Sequence, residues 1–566
     1  MINSFLRKMT VPQQLQSKQS GSKELGAFYT SKPVADFLVR WAVRNTLDSV
    51  MDPSVGSGVF LEAAAERLIE LGGQSKNQIF GIEVDPETLE SAKIRLNESG
   101  IPPSNLHLSD FFLVEPRPEN LVKVIVGNPP FIRYQRFRNE ERDRALERAA
   151  ECGVKLSQLS SSWAPFVIHS AAMLRKGGRL AMVLPAELAY ANYAVPVLNF
   201  LVKSFGRVTL LTFKEKLFPH LSEDTLLLLA SGRGEMTNEI LHRDFDYVSS
   251  LANTRLSKNY SLYRTRHLNV ESILDRSEKL IEYLLPAKTR DLYNELRKSA
   301  LCVPLGALAK TGIGYVTGAN DFFHLSPAEV KSFSIPKEFL KRAVRRGRAF
   351  NGLRFTDDDW QNAISNGDSG YLLYVNGQGL PLPAGVLEYI KSGRERGFAD
   401  AYKCRVRSPW YSVPHVIQAD GFLTYMSGTV PRLVVNEANA VAPNTLHVLK
   451  MRSEHFTARS LAVLWATSLS RLSAEIEGHA LGGGMLKLEP REAEKTLVAA
   501  PDCQSSELDG LYSELDDRFR RGDEKAAREM VDQEILMRRL GLSSKECKMI
   551  IEGASILMNR RYRKTQ

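Results

Sequence analysis

The pattern of apolar and polar positions changes character once along the chain. Between residues 26 and about 245, short apolar runs alternate with amphipathic stretches of helical period. Residues 34–46 place Phe37, Leu38, Trp41 and Ala42 on one face, which predicts a half-buried helix. Residues 49–51 are a short apolar approach to Asp52, and 59–71 form a second amphipathic helix. A strand over 78–84, a helix over 87–96, a short strand over 106–108 and a β-branched strand over 122–126 follow. Residues 166–174 read as a helix stopped by Lys176-Gly177-Gly178, and 179–184 as the next strand. Strands alternating with helices of this length predict an α/β fold, a Rossmann-like, doubly wound and mostly parallel sheet.

Beyond residue 245 the alternation stops. Residues 246–300 are charged and helical in pattern, notably 270–284 and 289–298. From 301 onward the elements become irregular and carry the turn dipeptides Asn351-Gly352, Asn366-Gly367, Asn376-Gly377 and Asp420-Gly421. A last helical stretch, 505–539, leads to a basic tail containing Arg560, Arg561, Arg563 and Lys564. The expected organisation is a doubly wound domain over 1–250, a helical connector over 251–300, and a mixed α+β domain with a helical tail over 301–566.

Composition narrows the partners. The 566 residues exceed one ordinary domain, and 43% apolar with 25% charged residues is normal for a chain that buries real cores. The formal net charge of +10 suits a polyanion such as nucleic acid, or an anionic membrane surface. Residues 1–25 are polar and lack the apolar core of a signal peptide, and the longest apolar runs, such as 226–230, are strand-sized. Cys152, Cys302, Cys404, Cys503 and Cys547 are scattered and never form a CxxC pair. That argues against a disulfide framework or a zinc site and for a reducing compartment. A cytoplasmic protein with no membrane segment and no metal is expected.

The candidate chemistry lies at the ends of the first four strands. Asp52-Pro53-Ser54-Val55-Gly56-Ser57-Gly58 follows a strand and opens a helix, so its glycines let backbone approach a ligand beside free amide groups. A tight strand-to-helix turn would look the same taken alone. The second strand ends in Glu83, where dinucleotide-binding folds hold a ribose diol, and the third in Asp110-Phe111, a carboxylate for an adenine amine and an aromatic for its face. Neither GxGxxG nor a Walker A sequence is present, so an adenosine ligand without a bound pyrophosphate fits better. The fourth strand runs into Asn128-Pro129-Pro130-Phe131. Two prolines stiffen this segment and remove two donors. The side-chain carbonyl of Asn128 and the backbone carbonyl of Pro129 can accept both protons of a planar amine, while Phe131 offers a flat face to a heterocycle. No strong general base is required, because the amine proton becomes acidic only after the nitrogen has taken a methyl group.

The order of these motifs resembles the gamma-class DNA adenine-N6 methyltransferases of bacterial restriction–modification systems, the type II family with an NPPY/F motif. The resemblance runs over about residues 26–235 and rests on Ala27-Phe28-Tyr29-Thr30, Asp52 to Leu61, Gly81 to Pro86, Asp110-Phe111, Asn128 to Phe131, Trp163 to Phe166, Gly178 to Pro185 and Leu217-Phe218-Pro219. It implies a site-specific, adenine-specific DNA methyltransferase that uses S-adenosyl-L-methionine and acts on a flipped-out adenine in double-stranded DNA. Thr30, Gly56 and Gly58 would line the methionine portion of the cofactor, within the Asp52-Pro53 turn. Glu83 would hold its ribose, and Asp110 with Phe111 and Phe166 its adenine. Asn128 and Pro129 would orient the target amine on the rigid Pro130 segment, and Phe131 and Phe218 would stack the base. A separately encoded cognate restriction endonuclease is compatible with it, and the roughly 25 residues ahead of the first motif leave no room for a fused nuclease.

The C-terminal half would read DNA. Lys341, Arg342, Arg345, Arg346 and Arg348 form one basic cluster, and Lys403, Arg405 and Arg407 alternate as on one face of a strand. The loops Gly312 to Asn320 and Gly482 to Lys487 resemble segments of target-recognition domains. Two other readings compete: an NPP(Y/F) N-methyltransferase acting on RNA or on a protein glutamine, and a non-catalytic DNA-binding subunit that keeps the fold.

Overall fold

Helix α1 (Lys32–Ala42) begins with Pro33 in its first turn and buries Phe37, Leu38 and Trp41, the face its apolar spacing marks. In the computed structural model the described residues are 30–74, 76–189, 191–218, 224–251, 265–375 and 381–562. The expectations for Ala27-Phe28-Tyr29, Pro219, Asn376-Gly377, Arg563 and Lys564 lie outside the described residues. The chain divides into two compact units, residues 1–284 with 563–566, and residues 285–562.

The first unit is built on a nine-stranded sheet. Strands β1 (Val50–Asp52), β2 (Ile79–Glu83), β3 (Leu106–Leu108), β4 (Val122–Gly127) and β5 (Leu174–Pro185) are mutually parallel in the order β3-β2-β1-β4-β5. Helices α2 (Val59–Glu70), α3 (Pro86–Glu98), α4 (Asn139–Glu151) and α5 (Trp163–Ala172) lie between them in sequence. After α6 (Val195–Ser204) come β6 (Phe205–Phe213), β7 (Thr225–Arg233), β8 (Glu239–Phe245) and β9 (Arg266–Asn269), which complete the order as β5-β7-β6-β8-β9. β7 is antiparallel to both β5 and β6, so β6 runs parallel with β1 to β5. The α/β, Rossmann-like reading therefore holds. Strand order reverses between β1 and β4, and the carboxyl ends of β1, β2, β3, β4, β5 and β6 face one edge, where open α/β sheets take ligands.

Three regions depart from the pattern-based expectation. Helix α5 starts at Trp163, earlier than residue 166, and ends at Ala172. Strand β5 is already running at Leu174, and Lys176-Gly177-Gly178, with Gly177 at φ +68°, is a kink inside it instead of a helix stop. β9 is an added edge strand that the charged pattern hid, and Leu280 and Tyr283 pack in the first core while the helix Ala287–Lys298 belongs to the second unit. The helical-looking stretch 251–300 is thus shared between the units.

The second unit is mixed α+β. Its five-stranded sheet has the order Ala309–Ile313, Leu446–Met451, Gly421–Thr424, Leu433–Asn436, Arg354–Phe355. A three-stranded sheet (His324–Leu325, Tyr371–Leu373, Leu340–Arg342) packs with Phe322, Phe323, Tyr389 and Trp410 in a separate cluster. The longest of its helices closes the chain at Ser544–Arg561. Among the described residues no helix is long and apolar enough to cross a membrane, and no group of three His, Cys, Asp or Glu side chains could hold a metal.

Candidate active site at the carboxyl edge of the sheet

Asp52 ends β1 and is fully buried; its Oδ1 accepts from the Ser54 amide at 3.0 Å. Burial pushes its carboxyl up to about 7, opposed by the Ser54 amide and reinforced by the charge of Glu83. Gly127 at the end of β4 makes room for it, since a Cβ there would lie 2.8 Å from Asp52 Oδ1. The turn then passes Pro53 to Gly58, whose φ of +82° caps α2 in the left-handed region open to glycine.

Glu83 ends β2 and ties three backbone amides together. Its Oε2 accepts from Gly56 N at 2.9 Å, and its Oε1 from Val84 N at 2.9 Å and Asp85 N at 3.0 Å. One carboxylate thus fixes the glycine turn against the second strand. Thr30, just ahead of α1, is buried. Thr30 Oγ1 and Asp52 Oδ2 are buried polar atoms without a hydrogen-bond partner among the described residues. Such atoms call for a polar ligand, because an unpaired buried group costs free energy.

Asp110 follows β3. Its Oδ1 accepts from Phe112 N at 2.9 Å, and its Oδ2 pairs with Arg144 of α4 at 2.5 Å. Phe111 and Phe166 lie 4.9 Å apart between ring centroids, so the two aromatics assigned to one adenine are neighbours. His169 packs 4.6 Å from Phe111, and its Nε2 donates to Phe111 O at 3.2 Å and Val114 O at 2.9 Å. Burial lowers its pKa to about 4, so it stays neutral and holds the aromatic turn.

The Asn128 to Phe131 segment is fixed from both sides. Ser54 Oγ donates to Asn128 O at 3.1 Å. Ser162 Oγ donates to Pro130 O at 2.5 Å and accepts from Ile132 N at 2.9 Å, while Ser162 N donates to Ile132 O at 3.0 Å. Of the three carbonyls at 128–130, Pro129 O is the one that accepts no hydrogen bond among the described residues. The Ser162 loop is itself anchored: Ser161 Oγ, Trp163 Nε1 and Tyr193 Oη all reach Glu187 Oε2, just beyond β5. Phe131 and Phe218 are largely buried, the latter in the segment after β6. Nothing in the sequence marks Ser162, Arg144 or His169, and Ser54 stands there only as a turn residue without a role of its own. Their partners lie 32 to 74 residues away in the chain, and no local pattern marks them.

In the second unit the basic clusters differ from expectation. Arg342 pairs with Asp357 and Arg348 with Asp368, which compensates part of the first cluster. Lys403 and Arg405 lie on a helical turn, Tyr402–Arg405, and not on a strand; the amides of Cys404 and Arg405 bond back to Ala401 O. Arg407 turns inward, donating to Val316 O, Thr317 O and Ser412 O. In the basic tail, Arg561 is buried against Glu475 and the carbonyls of Gly428, Thr429 and Gly484, so it holds the Gly482–Gly484 turn.

Known proteins match both units. Residues 14–268 match the family model described as N-6 DNA Methylase, and 277–536 the one described as Type II methyltransferase M.Eco57I, C-terminal domain. The type II methyltransferase M.AccI of Acinetobacter calcoaceticus is 24% identical over 87% of this chain and 89% of its own. M.XamI of Xanthomonas campestris pv. amaranthicola is 24% identical over 84% of this chain and 85% of its own. Among solved structures, the type IIL restriction-modification enzyme MmeI in complex with DNA superposes with a TM-score of 0.58 at 14% identity, over 96% of this chain and 81% of that one, a likeness of fold.

Proposed function

Because the chain belongs to the N-6 DNA methylase family of restriction–modification methyltransferases, we propose that it transfers a methyl group to N6 of an adenine extruded from double-stranded DNA. The observation that carries this is the Asn128 to Phe131 loop, with its outer carbonyls pinned and Pro129 O left to accept. Asn128 would take one proton of the target amine through its side-chain carbonyl and Pro129 the other. That grip turns the nitrogen lone pair outward from the base plane. Phe131 and Phe218 would pack on the base, each stack contributing about 1–3 kcal/mol toward extrusion. A separately encoded nuclease fits this reading as a partner.

S-adenosyl-L-methionine suits the residues present. When bound, it supplies the electrophilic methyl. The unpartnered Asp52 Oδ2 and Thr30 Oγ1 would answer the polar methionine end, Gly56 and Gly58 would let it approach, Glu83 would accept from the ribose, and Asp110 with Phe111 and Phe166 would hold the adenine. Purified chain is expected to move label from methyl-tritiated cofactor into duplex DNA. Label in RNA or protein and none in DNA would reject the proposal.

Two consequences concern the site's supports. Ser162→Ala removes both side-chain bonds to the catalytic loop but neither the strand beneath it nor the cofactor turn. Single-turnover transfer should fall about ten- to a hundredfold, the cost of an ångström of misplacement. Equilibrium cofactor binding should stay unchanged, and a parallel loss of both would mean Ser162 acts only on folding.

Asp52 makes a pH prediction. Its folded pKa of about 7 lies above the unfolded value, so the folded chain without cofactor holds the extra proton. Stability from this group is therefore full at low pH and is lost as pH rises toward 7. The melting temperature without cofactor should fall between pH 5 and 7.5 in wild type more than in Asp52→Asn. Equal slopes would show that Asp52 is ionised throughout.

A further inference from the structure

We propose that the helical turn at residues 401–406 of the second unit is a DNA-reading element, with Lys403 and Arg405 on phosphates and Tyr402 and Val406 against base edges. The inference rests on the DNA-methyltransferase reading above and names the surface that would serve it. Cys404 points into the core and is fully buried. At about 100° per residue, Tyr402 and Val406 then share the opposite face and Lys403 and Arg405 flank it. Their exposure agrees: Tyr402 is 66% and Val406 63% exposed, and Lys403 and Arg405 are exposed and make no ion pair among the described residues.

An exposed aromatic and an exposed β-branched side chain on one turn, rimmed by two cations, waste apolar surface in water. On duplex DNA each group has a use: cations meet phosphates, and apolar groups meet thymine methyls at the base edges. The turn is firmly seated. Arg407 donates to Val316 O at 2.7 Å and to Thr317 O at 2.6 Å, and Lys403 packs over Gly318, where a Cβ would come within 2.5 Å of Lys403 Cβ. A seated turn presents its side chains without a large ordering cost. Charge decides between partners. Residues 391–407 carry six Lys or Arg against two acids, Glu395 and Asp400, a net of +4 in a chain of +10, which favours a polyanion over a second copy of this basic chain.

The test uses the full chain, with duplex DNA from a substrate pool that the wild type methylates. Binding is measured by anisotropy from low to moderate salt for wild type, Lys403→Gln/Arg405→Gln and Tyr402→Ala/Val406→Ala. The cation pair should weaken binding at least about tenfold and flatten the salt slope by about 2, near 0.9 per phosphate contact. The apolar pair should keep the salt slope and lower the ratio of specific to non-specific binding about tenfold. Cofactor affinity and melting temperature should not move in either. Unchanged affinity, slope and specificity in variants of an active wild type would overturn the inference and leave the enzyme reading standing. Wild type that neither binds nor methylates DNA would overturn both. Loss of a concentration-dependent dimer in Tyr402→Ala/Val406→Ala, with DNA binding intact, would reassign the turn to self-association and overturn the inference.

Discussion

Asn128→Ala is expected to lower methyl transfer by about 10²–10³-fold in single turnover and to leave cofactor binding and folding as they are. The expectation follows from which atoms hold the loop. Ser54 bonds the backbone carbonyl of residue 128, and Ser162 bonds Pro130 O and Ile132 N, so none of these contacts uses the Asn128 side chain. The alanine variant should therefore keep these loop contacts while removing the proposed side-chain acceptor for the target amine. Equilibrium binding of the cofactor, melting temperature and single-turnover transfer on one preparation separate these effects. An alanine variant that methylates at the wild-type rate would remove Asn128 from the chemistry.

Glu83→Ala is expected to be the larger perturbation of the proposed cofactor site. The carboxylate satisfies the amides of Gly56, Val84 and Asp85, and losing it leaves three donors short of a strong acceptor. A fully buried donor left unsatisfied costs about 1–3 kcal/mol, and these part-buried amides, which water can partly reach, cost less each. The Gly56 turn then loosens from β2, and cofactor affinity should fall about ten- to a hundredfold, together with a lower melting temperature. Glu83→Gln keeps one acceptor oxygen and should recover part of both. Calorimetric titration with the cofactor checks the first effect and thermal unfolding the second. An alanine variant with wild-type affinity would show that Glu83 is only a strand-end brace.

The strands that carry the site were legible because their chemistry is local. Asp52, Glu83, Asp110 and Asn128 each stand at or just past the end of an apolar run, and the edge they share follows from parallel order. The braces were not legible. Ser54 and Ser162 are ordinary residues until the fold brings Asn128 O and Pro130 O to them, and Arg144 is one of several arginines on α4 until Asp110 meets it. The Lys403-x-Arg405-x-Arg407 alternation misled for a related reason. A four-residue turn is too short to show a helical period, and the buried Cys404 decides which way its neighbours face. Clusters that looked alike as sequence parted in the fold, with Arg407 spent on backbone carbonyls, Arg561 on Glu475 and backbone carbonyls, and Lys403 and Arg405 left outward.

The most direct test of the central claim is single-molecule sequencing of DNA from a methylation-deficient host expressing the chain. N6-methyladenine at a fixed position within a single recognition sequence, lost on Asn128→Ala, is the predicted result. Unmodified DNA, or methyl groups on cytosine alone, would contradict it.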